Sequence, residues 1–371
     1  MRITLIAAAA ALSLAGAASV EAQRIDAAPA GPMWDAAMSP SGKYLATGCE
    51  NVDGPAICIY DLEAFAATAV VPAPDEASLT SMFWASDLYL IYTFETVQEV
   101  GTTLGVREYE FRRPVAFNAE TRESNLLLPA QRDLVSGIEI ASLLRGEPDA
   151  IAIEMTIGRE NERETGSRIS TEPERRSMLQ RVDLASGNEG RILERSAAAT
   201  SQIAADPSGE VYALVRNRDN GSYEIIAVED GDRRTLLEGR RQGDDGQAVV
   251  YGRIPGAAAL GVSLPDQGPR RLDLETGAVS AFEQVGEPIV DSFRAELVGF
   301  DFVDELPRQV FLDDELAATQ AALTNALGAQ SVTLQAWSDD RQMMLIAAHG
   351  DDGPAFYLFD AGAGQLSAFE P

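Results

Sequence analysis

Short apolar stretches alternate along this chain with clusters of Gly, Pro, Asp and Asn. The stretches are rich in Val, Ile, Leu, Tyr and Phe, as at residues 44–49 and 56–60, and most end in turn-forming residues. Helical periodicity is almost absent. Many short strands separated by tight turns are typical of antiparallel all-β proteins. The pattern therefore predicts an all-β fold.

Two recurring phrases divide these strands into units. One opens a unit with a tight turn, as in SPSG at 39–42, DPSG at 206–209 and SDDR at 338–341. Such turns use Pro to preset φ and Ser, Asp or Asn to bond the local backbone, while Gly supplies a positive φ. The other phrase closes a unit at the positions Asp61, Asn118, Asp183, Glu229, Asp273 and Asp360.

The spacing of the closing phrases predicts a β-propeller. A four-stranded propeller blade repeats about every 40–45 residues. The gap between Asp273 and Asp360 is about twice that length, so one degenerate unit is expected near residues 285–328. The sequence thus predicts a seven-bladed β-propeller with one inserted surface helix. We expect the blades roughly at residues 33–65, 80–128, 135–194, 200–239, 245–284, 285–328 and 329–371.

The degenerate unit contains the one strong helix signal. Asp313, Asp314 and Glu315 form an acidic first turn, residues at helical spacing follow, and Gly328 fits the C-cap. We expect a surface insertion between strands of the sixth or seventh blade. By contrast, residues 158–176 are rich in Arg and Glu without apolar periodicity, which predicts a long, mobile excursion between strands that could serve as a contact element.

The N-terminus predicts export. Arg2 precedes an apolar run over residues 3–18, and Val20-Glu21-Ala22 offers small residues for cleavage before Gln23. The sequence predicts a signal peptide at 1–22 and a propeller domain at 23–371, in the periplasm or outside the cell. The alternative is an uncleaved membrane anchor, for which the run is short. We expect no membrane span after cleavage.

The two cysteines predict a disulfide. Cys49 and Cys58 flank a turn-like segment between the two arms of an expected hairpin, and a cross-strand disulfide fits an oxidising compartment. A redox or metal role would favour a C-x-x-C pair or neighbouring histidines, which are absent from the sequence.

The charge balance excludes some partners. The formal net charge is −29, and Arg2 and Glu21 cancel within the signal peptide. Nucleic-acid binding needs a basic surface, so we expect no nucleic-acid partner. The sequence has no glycine-rich phosphate loop, and we expect no cofactor. Trp34, Trp84 and Trp337 lie at or near unit openings, where packing in the core is the favoured role.

Several segments resemble one known family. They are the run VFLDDEL at 310–316, the helix, SVTLQAWSDD at 331–340, AFYLFD at 355–360, SPSGKY at 39–44 and FWASD at 83–87. Together they resemble the propeller of bacterial prolyl-oligopeptidase-family peptidases, of the acylaminoacyl-peptidase and dipeptidyl-peptidase-like kind. In that family the propeller covers an α/β-hydrolase domain and filters peptides.

The resemblance carries no catalytic residue onto this chain. The family's nucleophile lies in a G-x-S-x-G turn, followed in sequence by Asp and His. No G-x-S-x-G occurs in this sequence, and the hydrolase domain would begin where the sequence ends, at Pro371. The resemblance therefore implies a propeller without its own catalytic machinery.

Other chemistry is weakly indicated. His349 is the single histidine and is expected in an exposed turn, so we assign no catalytic residue. Three acidic groups, Asp351-Asp352, Asp244-Asp245 and Asp313-Asp314-Glu315, lack the spacing of a calcium loop, and Asn217 to Gly221 reads as a turn. We assign no metal ligand. A paired-carboxylate glycosidase stays open, because carboxylates are numerous.

The sequence favours two functions over a third. The first is an exported, non-catalytic binding module that takes a peptide or protein through the propeller faces or channel. The alternative is the propeller subunit of a split serine peptidase, whose hydrolase is a separate chain. An independent hydrolase that uses carboxylates is a weaker third possibility.

Overall fold

Seven blades of antiparallel strands follow one another around a ring. The computed structural model describes residues 35–369, except 52–53, 74–76, 103–104, 130–137, 159–174, 199, 219, 244–245, 304 and 352. In the described part of the chain, five blades are separate four-stranded sheets built from consecutive strands. A four-stranded and a three-stranded blade are joined into one seven-stranded sheet by a single parallel pair, Arg253 with Glu296. This is the seven-bladed β-propeller that the sequence predicts.

The strands fall into blades in chain order. Blade 1 contains β1 (Ala36–Met38), β2 (Tyr44–Asn51), β3 (Gly54–Asp61) and β4 (Ala66–Pro72). Blade 2 contains β5 (Ser78–Trp84), β6 (Tyr89–Thr102), β7 (Gly105–Asn118) and β8 (Ser124–Leu126). Blade 3 contains β9 (Ile138–Ser142), β10 (Ala150–Gly158), β11 (Arg175–Asp183) and β12 (Glu189–Ala198). Blades 4 and 5 contain β13 (Thr200–Ala205), β14 (Val211–Asn217), β15 (Ser222–Glu229), β16 (Asp232–Arg240); and β17 (Val249–Arg253), β18 (Ala259–Leu264), β19 (Gly268–Asp273), β20 (Val279–Ala281). Blades 6 and 7 contain β21 (Glu287–Asp291), β22 (Glu296–Phe302), β23 (Arg308–Phe311), then the helix α1 (Asp314–Leu327); and β24 (Ser331–Trp337), β25 (Met343–Gly350), β26 (Gly353–Asp360), β27 (Gln365–Phe369).

The closing phrases end the third strand of their blades. At five of the six closing positions, all but Glu229, a side-chain oxygen accepts hydrogen bonds from backbone N–H groups two or three residues ahead, which forms the turn into the fourth strand. Asp61, Asn118, Asp183, Asp273 and Asp360 all make this contact at 2.7–3.1 Å. A hydrogen bond from Thr276 and others from the backbone lower the pKa of Asp273, so this turn favours the charged form.

Apolar clusters join neighbouring blades around the ring. Six clusters fill the spaces between blades 1 and 2, 2 and 3, 3 and 4, 4 and 5, 6 and 7, and 7 and 1. Blades 5 and 6 instead approach through backbone, since Arg253 pairs in parallel with Glu296. A Cβ placed on the neighbouring Gly252 would lie 2.7 Å from the Ala295 carbonyl oxygen, so the close approach requires glycine there.

The ring closes by packing between its first and last blades. Tyr60 of β3 meets Phe369 of β27 edge to face, with ring centroids 5.2 Å apart. Both side chains are buried, at 0% and 2% exposure. The N–H of Asp339 donates to the Pro40 carbonyl at 3.0 Å. Among the described residues no strand is exchanged between these two blades.

The disulfide and its hairpin follow the sequence-based prediction. β2 and β3 pair antiparallel, and Cys49 and Cys58 are bonded, with their Cα atoms 5.9 Å apart. Both cysteines are buried within the cluster between blades 7 and 1. The bond therefore ties together the two central strands of the blade that closes the ring.

Blade 6 is the atypical unit, with three strands followed by α1. Asp313 caps the helix by accepting from the N–H groups of Glu315 and Leu316, and Gly328 ends it in the left-handed conformation, as the sequence predicts. The helix lies between blades 6 and 7, not between two strands of one blade as expected, and its Leu316 and Leu323 are buried there. It therefore covers part of the core as well as presenting a surface.

A buried arginine fixes this helix to the sheets. Arg341, 4% exposed, donates to the carboxylates of Asp291 at 3.2 Å and Asp313 at 3.0 Å, and also to Glu315 at 2.9 Å. Asp291 lies at the end of β21, and Arg341 precedes β25. The network thus connects blade 6, the helix N-terminus and blade 7.

Other sequence-based expectations have mixed outcomes. Trp84 and Trp337 are buried, at 1% and 9% exposure, as the expected packing role requires, and both also line a cavity. Trp34, the signal peptide at 1–22 and residues 159–174 lie outside the described residues. No helix in the described part of the chain has the length and hydrophobicity to span a membrane.

Candidate functional site: the central channel

The first strand of each blade faces a central channel. One cavity, of about 470 Å³, is walled mainly by β9, β13 and β17. A second, of about 490 Å³, is walled mainly by β1, β5, β21 and β24. Phe83, Val290 and Ser292 line both cavities, so the two spaces adjoin. Each is within the range of about 300–1,000 Å³ that is common for ligand sites.

The charged groups of this channel all have the same sign. Among the described residues that line the two cavities, the charged side chains are Glu139, Glu154, Glu287 and Asp301. The remaining lining is aromatic, aliphatic or neutral polar. An acidic channel in a chain of net charge −29 attracts cations and repels anions.

Glu154 is the most unusual member of this set. It lies in the middle of β10, is 4% exposed, and pairs in register with Glu139 on β9. Its Oε2 accepts a hydrogen bond from the Ile203 N–H at 2.8 Å, whereas Oε1 is buried and has no hydrogen-bond partner. The nearby Ser177 hydroxyl donates its hydrogen to the Thr200 carbonyl, at 2.8 Å.

Burial raises the pKa of Glu154 to about 7, against the opposing and smaller effects of the Ile203 N–H and the neighbouring Ser177 hydroxyl. The carboxyl group is therefore close to half protonated at neutral pH. The charge of Glu139 raises the pKa further, as a smaller contribution. A group with such a pKa, inside a cavity, is a candidate for a functional role.

Three amide side chains also form hydrogen bonds with the backbone of the next blade, as Glu154 does with Ile203. Gln202 bonds both the N–H and the carbonyl of Val250, at 2.8 and 2.9 Å. Gln309 does so at Leu334, and Asn217 at Ala248. An amide offers an acceptor and a donor, while a carboxylate offers acceptors only. Glu154 makes only the N–H half of this contact, so the structural role alone does not account for a carboxylate.

The turns between first and second strands surround one mouth of the channel. Neighbouring turns are bonded to each other: Ser41 N–H donates to Asp87, and Arg145 N–H donates to the Pro207 carbonyl. The Arg145 side chain also forms an ion pair with Asp339. Blades 3 and 7 are not neighbours, so this pair crosses the mouth and narrows it.

His349 differs from the expectation of an exposed turn residue. It lies near the end of β25, is half-buried, and its Nε2 is 2.9 Å from the hydroxyl oxygen of Thr333. Burial lowers the pKa of His349, so its ring is neutral at pH 7. Thr333 is 2% exposed, and its hydroxyl also accepts a hydrogen bond from the Gln335 side chain at 2.7 Å.

The acidic groups weighed for calcium have other positions. Asp313 is the helix cap and a partner of Arg341. Asp351 accepts a hydrogen bond from Gln330, while Asp244, Asp245 and Asp352 lie outside the described residues. In the described part of the chain, no three His, Cys, Asp or Glu side chains are grouped as a metal site.

Sequence reasoning missed Glu154, although the sequence contains a signal for it. The strand reads IAIEMTI over 151–157, with one charged residue inside an otherwise apolar run. A lone carboxylate at such a position is rarely fully buried without a specific partner. The pairing of Arg145 with Asp339 has no comparable signal, because it depends on how the ring closes.

Comparisons with known proteins give distant likeness only. No known protein family matches the chain, and no curated protein matches it. Among solved structures, TolB from Acinetobacter baumannii is 16% identical, with a TM-score of 0.34, over 66% of this chain and 53% of that one. The Pyrococcus horikoshii acylaminoacyl peptidase is 8% identical, with a TM-score of 0.37, over 91% of this chain and 46% of that one. The chain thus spans about half the length of each.

Proposed function

We propose that this chain is an exported, non-catalytic propeller that binds a peptide or protein segment in its central channel. The observation that supports this most strongly is the channel itself, two adjoining cavities of about 470 and 490 Å³ walled by the first strands of all seven blades. Its walls combine apolar surface with a few polar groups, which is typical of ligand sites.

Contacts between neighbouring blades hold the ring together around the channel. Its blades are joined by apolar clusters and by side-chain clamps from Gln202, Asn217 and Gln309 to the backbone of the next blade. A rigid wall lowers the entropic cost of binding, because fewer groups must be ordered when a ligand enters. The scaffold therefore suits recognition of a short, extended segment.

A non-catalytic role agrees with the surroundings of the single histidine and with the motifs of the sequence. A nucleophilic mechanism needs an accessible nucleophile beside its base. The single histidine contacts a buried threonine, and the sequence has no G-x-S-x-G turn. The buried disulfide and the signal-like N-terminus support export to an oxidising compartment.

The test is a selection of random peptides on the purified protein. Val290, 41% exposed, lines both cavities, so Val290→Trp would block the channel. Val279→Trp is the matched control, since Val279 is 36% exposed on the outer strand β20. We expect the wild-type protein and the control to enrich the same peptides, and the blocked variant to lose at least tenfold in affinity for them.

Two results of the peptide selection would overturn binding in the channel. One is the absence of any enriched peptide, and the other is enrichment that Val290→Trp leaves unchanged. The same purified protein is incubated with a fluorogenic peptide panel and with a fluorophosphonate probe. Labelling of this chain or turnover by it would contradict the non-catalytic role, and a labelled partner copurified from its host would favour the split peptidase instead.

A further inference from the structure

We propose that the channel holds a primary alkylammonium group against Glu154, as presented by a lysine side chain of the bound segment. This inference rests on the proposed channel function and specifies its ligand. Its starting point is a buried carboxylate oxygen with no partner, on a residue that lines the 470 Å³ cavity.

The free oxygen of Glu154 is unusual for its location. Eight buried side-chain atoms lack a hydrogen-bond partner in the described part of the chain, and among these Glu154 Oε1 alone belongs to a residue that lines either of the two channel cavities. A buried, unpaired carboxylate oxygen costs free energy. A ligand that donates a hydrogen bond from within the cavity would remove that cost.

The comparison with Gln202 and Gln309 strengthens this point. Both glutamines clamp the next blade with an amide, so glutamine would serve the structural contact at position 154. The chain has a carboxylate there, with Glu139 paired beside it. A position that sacrifices stability where a simpler residue would serve is often a functional one.

The chemistry of the cavity selects among cations. Both of its charged groups are carboxylates, Glu139 and Glu154. An ammonium group is a compact donor that suits one free oxygen, whereas a guanidinium is held best by two oxygens at once. Calcium would need six to eight oxygen ligands. Phe83, Tyr251 and Val290 provide apolar surface for the methylene chain.

The experiment uses blocked peptides and isothermal titration calorimetry at pH 8. The first probe is N-acetyl-Ala-Ala-Lys-Ala-Ala-amide, whose only ammonium is on lysine. Three further probes are compared with it: the same peptide with Nε-acetyl-lysine, the same peptide with arginine in place of lysine, and free n-butylamine. The proteins are wild type, Glu154→Gln, Glu139→Gln, and Glu120→Gln as an exposed control.

The expected result is binding of the lysine peptide to wild type and to Glu120→Gln. Acetylation of lysine and Glu154→Gln should each weaken it at least tenfold, and Glu139→Gln by a smaller factor. The arginine peptide should bind more weakly than the lysine peptide. Binding of wild type should strengthen from pH 6 to pH 8, because the carboxyl group loses its proton over that range.

The outcomes separate this inference from the proposed function. Equal binding of n-butylamine and the lysine peptide would assign the site to a free amine rather than to a peptide, and overturn the peptide part. Peptides that bind in the channel regardless of acetylation and of Glu154→Gln would overturn the ammonium site and leave the channel function intact. Binding of neither probe, in a protein that selects no peptide, would overturn both.

Discussion

Burial of Glu154 makes the stability of this molecule depend on pH. Its carboxyl group has an ordinary pKa of 4.5 and a pKa of about 7 in the folded protein. Between these values the folded protein retains a proton that the unfolded chain has released. The free energy of unfolding therefore falls as pH rises through this window, by up to about 3 kcal/mol from this group.

We expect Glu154→Gln to stabilise the protein at pH 8. The glutamine keeps the contact with the Ile203 N–H and has no charge to bury. Its free energy of unfolding should exceed that of wild type by about 1–3 kcal/mol at pH 8, and the difference should shrink at pH 5. Urea denaturation at both values of pH measures this, with Glu120→Gln as the control. A glutamine variant that is less stable than wild type at pH 8 would contradict this explanation.

At the scale of single residues, sequence reasoning performs unevenly. The closing aspartates and the two cysteines are predicted well, because each acts on backbone within a few positions of itself. Glu154, Gln202 and Arg145 are missed, because each acts on a residue more than 45 positions away. Contacts between residues close in sequence can be predicted from the local sequence, whereas contacts between blades depend on how the blades are arranged in the ring.

Helix α1 is the element whose placement depends most on one side chain. Its caps, Asp313 and Gly328, are predicted from sequence because capping is local. Its attachment depends on Arg341, which reaches from the turn before β25 to Asp291 and Asp313. Nothing in the sequence marks that arginine, since it forms part of an ordinary turn phrase.

We expect Arg341→Met to destabilise the protein strongly. It would remove the arginine partner of the Asp313 carboxylate and one of the two described arginine partners of Asp291, which would keep Arg294. Removal of one partner from a buried ion pair costs about 3–5 kcal/mol. Arg233→Met is the matched control, because Arg233 pairs with Glu194 near the surface, and such pairs contribute about 1 kcal/mol or less. Equal losses in guanidinium denaturation would show that the network does not anchor the helix.

The ring is closed by the joint between its first and last blades. The repeat spacing predicts seven units, but it does not show how they close into a ring. In the structure the joint contains the disulfide, the ring pair of Tyr60 and Phe369, and the bond from Asp339 to Pro40. A ring closed in this way holds the channel walls at fixed distances.

We expect Phe369→Ala to lower the free energy of unfolding by about 3–5 kcal/mol, the usual cost of deleting a buried aromatic ring. Phe282→Ala is the control, because Phe282 packs edge to face with Phe300 but is only half-buried. Thermal denaturation with circular dichroism compares them. A Phe369→Ala variant as stable as the control would mean that this pair does not close the ring.

The central claim is that the channel, rather than an outer surface, receives the ligand. The most direct measurement is photo-crosslinking of a selected peptide that carries a diazirine side chain, followed by mass spectrometry of the attachment sites. The account predicts attachment to channel-lining residues such as Phe83, Tyr251 and Val290, with loss of attachment in Val290→Trp. Attachment confined to the outer strands β4, β8 or β20 would contradict it.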